Sequence, residues 1–168
     1  MNFTNSIHNE LFLKQLEEEL SPEELARLKF NLIFPGTKWC GSGNIADNYD
    51  DLGPEVEADK CCRAHDTCGE VIEAGETKYN LTNNAFYSRL SCRCDENFRS
   101  CLRKDDSETS STIGLMYFNV IGTQCFRLDY NVTGCNRYGG WLSTKCIEYE
   151  YDTNSQKRYQ WFDVPNFY

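Results

Sequence analysis

Ten cysteines lie between Cys40 and Cys146, and none lies outside that stretch. An even count confined to one stretch leaves two ways to use the sulfur. In a reducing cytosol it implies metal sites, and in an oxidising compartment it implies five disulfides. Three Asn-x-Ser/Thr acceptors, at Asn2, Asn80 and Asn131, lean toward the oxidising case. The first residues, MNFTNSIHNE, show neither the basic stretch nor the apolar run of a signal peptide. The chain is therefore read as a secreted, extracellular protein whose signal is not visible in it.

At 168 residues, with 40% hydrophobic and 14% aromatic residues, the chain has material for one packed domain and a short extension. It carries 17 Lys+Arg against 26 Asp+Glu, a net charge of -9. That balance argues against a nucleic acid as partner, because a phosphate backbone needs a basic face. No apolar run approaches the ~18–20 residues that span a bilayer, so no transmembrane segment is expected. Contact with a lipid surface stays open.

Residues 1–32 form the extension, with no cysteine, six acids and three bases. Leu13, Leu16 and Leu20 recur at helical spacing, and Ser21-Pro22-Glu23-Glu24 supplies a cap, a first-turn proline and acids for a second helix. A surface helix pair over 10–30 and a removable pro-segment cut near Arg27 or Lys29 are both consistent with this pattern. Residues 33–168 form the body. Turn signals mark 32–54, a helix is expected over 57–69, and a second over 83–103, capped at Thr82 or Asn83. The stretch 105–112 is polar. Residues 145–151 alternate, and the spacing predicts a hairpin with 158–162 across the turn 152–157.

The two helices can be placed against each other. Cys61 and Cys68, seven apart, share a helix face at ~100° per residue, and so do Cys94 and Cys101. Two helices with stacked thiols can be stapled side by side, parallel or antiparallel, and spacing alone does not choose. His65 lies between the two cysteines of its helix. In the antiparallel case Asp95 sits within ~3 Å of its height. A carboxylate beside an imidazole fixes its tautomer, as a general base requires. A buried structural histidine and a zinc cluster are the competing readings of the same motif, although adjacent Cys61-Cys62 suits disulfides better than zinc.

Trp39-Cys40-Gly41-Ser42-Gly43 is a glycine loop able to turn several carbonyls toward one point. Carbonyl oxygens suit a hard cation, and Asp66 is the natural carboxylate to complete a calcium site, with Cys62 placed to hold Cys40 nearby.

Together, Phe34-Pro-Gly-Thr-Lys-Trp-Cys-Gly-Ser-Gly43, Cys61-Cys-Arg-Ala-His-Asp-Thr-Cys68 and Leu90-Ser-Cys-Arg-Cys-Asp95 resemble the group III, bee-venom-type, secreted phospholipases A2. Met116-Tyr-Phe-Asn119 and Tyr159-Gln-Trp-Phe-Asp163 extend the resemblance over 33–168. It implies a mainly α, disulfide-rich fold: two long antiparallel helices, a calcium-binding loop and a small C-terminal antiparallel β-hairpin region. It also implies the pairs Cys40–Cys62, Cys61–Cys101, Cys68–Cys94, Cys92–Cys125 and Cys135–Cys146. His65 matches the base, Asp95 its orienting carboxylate and Tyr117 a phenol bonded to the pair. Asp66 and the carbonyls of Trp39, Gly41 and Gly43 match the ligands of one Ca2+ ion.

The resemblance implies calcium-dependent hydrolysis of the sn-2 ester of glycerophospholipids by a monomer docked on a bilayer or micelle. The alternative is a phospholipase-like toxin or receptor-binding protein with little or no catalysis. The body carries 14 bases and 20 acids. Docking is therefore expected to use apolar side chains such as Ile33, Phe34, Phe86 and the C-terminal Tyr and Trp residues. An attached 1–32 segment is expected to block the lipid face.

Overall fold

The structure is a computed structural model, and it describes residues 18–21, 33–140 and 143–168. Backbone contacts divide the chain into two units, Met1–Leu32 and Ile33–Tyr168. The helix pair expected over 10–30 lies, apart from residues 18–21, outside the described residues. The second unit carries all ten cysteines and every described strand.

Helix α1, Val56–Asp66, starts just after Gly53-Pro54 and matches its own dipole. Glu57 and Asp59 lie in its first turn, and Arg63 and His65 in its last. Helix α2, Cys92–Asp105, is capped by Ser91, whose hydroxyl accepts the Cys94 N–H at 3.2 Å, and ends at left-handed Asp106. Helix α3, Glu108–Gly114, is capped in the same way by Ser107. It runs on into a π-helical segment, Leu115–Ile121, that ends at left-handed Gly122.

Four two-stranded antiparallel ribbons complete the unit. Two are minimal: β1 (Val71–Ile72) with β4 (Arg89–Leu90), and β2 (Thr77–Lys78) with β3 (Leu81–Thr82). The larger two pair β5 (Gln124–Asp129) with β8 (Arg158–Asp163), and β6 (Asn131–Gly139) with β7 (Lys145–Asp152).

All ten cysteines are paired: Cys40–Cys62, Cys61–Cys101, Cys68–Cys94, Cys92–Cys125 and Cys135–Cys146. The second bond staples α1 to α2, and the third ties Cys68, two residues past the end of α1, to the first turn of α2, which sets the two helices antiparallel. The core gathers around Phe118, Phe162, Phe167, Val164 and Leu102, all at 0% exposure.

Several expectations are corrected. Among the described residues the two stapled helices are 11 and 14 residues and strands hold nearly as many residues as helices, so a disulfide-rich fold of short helices and small antiparallel strand pairs is what the structure supports. Helix α2 starts at Cys92, not near 83. Asn83 is buried instead, and its amide donates to the carbonyls of Ile72 and Tyr87, which locks a loop where a helix cap was expected. The polar stretch 105–112 holds the start of α3, because Ser107 is a sound N-cap.

The hairpin of 145–151 with 158–162 does not form. Strand β8 buries Gln160 and Phe162 and pairs with β5, which Cys92–Cys125 ties to α2 in the core. The mostly exposed β7 is left to pair with β6 across Cys135–Cys146.

Gly114 is one of the glycines whose place a Cβ could not share without a shift. A Cβ on Gly114 would lie 2.4 Å from the Phe167 ring, so the aromatic near the chain end packs only because that position is bare.

Candidate active site

His65 ends one stapled helix and Asp95 begins the other, and the two disulfides set them opposite each other. His65 Nε2 lies 2.6 Å from Asp95 Oδ1. Tyr117, on the π-helical segment, donates its hydroxyl to the same oxygen at 2.9 Å. Asp95 is 1% exposed, and its other oxygen, Oδ2, has no hydrogen-bond partner among the described residues. Both bonds therefore bear on Oδ1. An ionised carboxylate only accepts, so His65 donates through Nε2 and keeps its lone pair on Nδ1.

The imidazole is held on two further sides. Phe98 stacks on it with ring centroids 4.3 Å apart and 16° between planes, and Tyr117 meets it edge-on at 5.3 Å. A cavity of about 80 Å³ between the helices is lined by His65, Phe98, Ala64, Asn97 and the sulfurs of both staples. The Tyr117 hydroxyl is pushed well above its ordinary pKa, first by burial and then by the negative charge of Asp95. It stays a proton donor at any physiological pH.

The glycine loop is built from the other end of α1. Cys40–Cys62 ties it to the helix one turn before Asp66. Within the loop, the Cys40 carbonyl accepts from Phe34 N–H at 2.7 Å and the Lys38 carbonyl from Ile45 N–H at 2.9 Å. The intervening carbonyls of Trp39, Gly41 and Gly43 accept no hydrogen bond among the described residues. Gly43 takes φ +68°, a conformation that side chains rarely adopt.

Asp66 has no Lys, Arg or His within ion-pair distance among the described residues. Much of Asp66 is open to solvent, yet surrounding protein desolvates its carboxyl. Aided by the charge of Asp59, this pushes its pKa up to about 7. Three unengaged carbonyls and a carboxylate without an ion pair are oxygen donors of the kind a hard divalent cation takes.

The zinc reading falls here. Cys68, Glu70 and Cys94 do cluster, but both sulfurs are spent on one disulfide.

Two contributors were overlooked in the sequence. Phe98 lies four residues after Cys94 and three before Cys101, on the stapled face, so helical spacing would have found it. Asp59, buried in the first turn of α1, carries no motif.

The sequence profile of the family described as phospholipase A2 matches residues 33–129. A phospholipase A2 of Bombus pensylvanicus is 49% identical over 137 residues, covering 81% of this chain and 100% of the relative. The chain belongs to the phospholipase A2 family, in its bee-venom-type group III. A phospholipase A2 of Apis mellifera is 42% identical over 154 residues, with 91% of this chain and 89% of the relative covered. The chain is also similar to the phospholipase A2 hemilipin of Hemiscorpius lepturus. That relative is 50% identical over 103 residues, covering 57% of this chain and 44% of the relative.

Proposed function

We propose that this phospholipase A2 hydrolyses the sn-2 ester of glycerophospholipids at a lipid surface, using a water activated by His65 and Asp95 and one Ca2+ ion. The observation that carries the reading is the convergence of His65 and Tyr117 on Asp95 Oδ1.

His65 Nδ1 takes a proton from water as the water attacks the ester, and the imidazolium returns that proton to the leaving alkoxide. Asp95 holds the ring in the tautomer that leaves Nδ1 free and steadies the imidazolium. Tyr117, protonated throughout, fixes the carboxylate. Asp66 and the carbonyls of Trp39, Gly41 and Gly43 are the residues that would hold the ion. When bound, the ion supplies positive charge to the lipid phosphate and to the oxyanion that develops at the ester. The products are a fatty acid and a lysophospholipid, and no acyl-enzyme is needed.

Docking fits an apolar mode. No helix among the described residues is long and apolar enough to cross a membrane. Val120 and Leu115, on the segment that carries Tyr117, are exposed at 74% and 39%, and Phe86 at 39%. Ile33 and Phe34 are only half-exposed. The protein is read as a secreted monomer, with residues 1–32 a removable pro-segment. A chain starting at Ile33 should be more active than the full chain, and equal activity removes that part of the reading.

The test is fatty-acid release from phosphatidylcholine vesicles. EGTA should abolish it, and His65→Gln should lower kcat on the order of 10²- to 10⁴-fold in a folded protein. Activity that survives either change overturns the chemistry.

A further inference from the structure

Asp59 is 0% exposed and has no Lys, Arg or His within ion-pair distance among the described residues. A carboxylate buried without a counter-charge costs several kcal/mol unless other groups satisfy it. Here the compensation comes from main-chain N–H groups of one loop. Lys38 donates to Oδ2 at 2.9 Å, Trp39 to Oδ1 at 2.8 Å, and Gly53 to Oδ2 at 2.8 Å. The first two open the glycine loop and the third closes the segment that returns to α1. Both ends of 38–53 are thus tied to a single side chain in the first turn of that helix, where the helix dipole favours a negative charge.

We infer that Asp59 is a positioning residue that pre-shapes the glycine loop for its cation. The inference rests on the calcium reading above. The N–H of Trp39 is committed to Asp59, which sets the plane of the 38–39 peptide and fixes where the backbone enters Trp39. The Lys38 and Cys40 carbonyls are committed inside the loop, and the Cys40–Cys62 bond fixes the next residue. Residues 38–40 are thus held in place before any ion arrives, and a site ordered in advance binds more tightly. A touching bond between Asp59 and the ion is not required, since its oxygens are already filled by amides.

The test is isothermal titration of CaCl2 into the full chain and its Asp59→Asn variant, with no lipid present. Asn keeps one acceptor oxygen but turns an NH2 group toward donors, so the Ca2+ Kd should weaken about tenfold or more. Gly114→Ala, which disturbs the packing of Phe167, serves as a destabilised control and should bind Ca2+ as the unaltered chain does. An Asp59→Asn affinity within about twofold of the unaltered chain overturns the inference and leaves the calcium reading standing. An unaltered chain that binds no Ca2+ overturns both.

If Asp59→Asn does not fold, amide hydrogen exchange on the unaltered chain in EGTA decides. The Lys38, Trp39 and Gly53 amides should already be as protected as those of α1. Protection that arises only after Ca2+ is added overturns the inference.

Discussion

Phe98 lies flat against His65, ring on ring, on the stapled face of the neighbouring helix. The contact limits the rotation of the imidazole about its bond to Asp95, so the direction of Nδ1 depends on Phe98 as well as on the carboxylate. Phe98→Leu keeps most of the apolar volume and removes the flat face. An aromatic contact of this kind is worth about 0.5–1.5 kcal/mol, so kcat should fall roughly two- to twelvefold with Ca2+ affinity unchanged. A vesicle assay beside a calcium titration checks this, and an unaltered kcat would show the stack to be packing alone.

Tyr117→Phe and Asp95→Asn should not combine additively, because both act through Oδ1. Removing the phenol loses one hydrogen bond to a charged acceptor, about 1.5–3 kcal/mol where buried. Once Asp95 is Asn, the imidazole has lost its orienting charge and the phenol has little left to hold. The double variant should be scarcely slower than Asp95→Asn, and a double-mutant cycle on kcat measures the coupling.

Calcium should compete with a proton at Asp66. Its carboxyl titrates near 7 rather than 3.8. Below about 7 the ion must displace a proton, so Ca2+ affinity should rise with pH up to about 7 and level off above it. In the calcium-free protein the sign is reversed. The folded chain holds a proton that the unfolded chain has released, so stability falls as pH rises from about 4 to about 7. Melting curves in EGTA should show that slope, and Asp66→Asn should flatten it.

Val120→Asp should slow hydrolysis of packed vesicles while leaving hydrolysis of a dispersed short-chain lipid near normal. The side chain is 74% exposed, so its loss should leave folding intact. Adding salt should change vesicle binding little, because apolar docking is weakly screened. Steep salt dependence would point to a charged docking face.

The parts of this site that follow helical spacing were legible in the chain. A seven-residue interval puts Cys94 with Cys101 on one face of α2, and helical spacing places His65 level with Asp95 once the helices run antiparallel, whereas α1 ends at Asp66 and leaves Cys68 just beyond it. Spacing alone left that direction open. Contacts made by backbone that folds back on itself were not legible. Asp59 reads as one more acid at a helix start, because its partners are amides of Lys38, Trp39 and Gly53, and amides leave no mark in a sequence. The strands between Val71 and Leu90 are two residues each, too short to show alternation, so their stretch was partly absorbed into α2. Strand partners in the C-terminal half turned on which strand faces the core, and that depends on a cystine from β5 to α2.

Neighbouring Cys61 and Cys62 are bonded in opposite directions, one to the helix that carries Asp95 and the other to the glycine loop. A single turn of α1 is thus the hub at which His65, Asp95 and the glycine loop are bolted together, and each bolt is a bond that forms only under oxidising conditions. In a cytosol kept reducing, those sulfurs remain thiols and the three parts lose their common frame. Oxidation is therefore the step that brings His65 opposite Asp95 and seats the loop beside them.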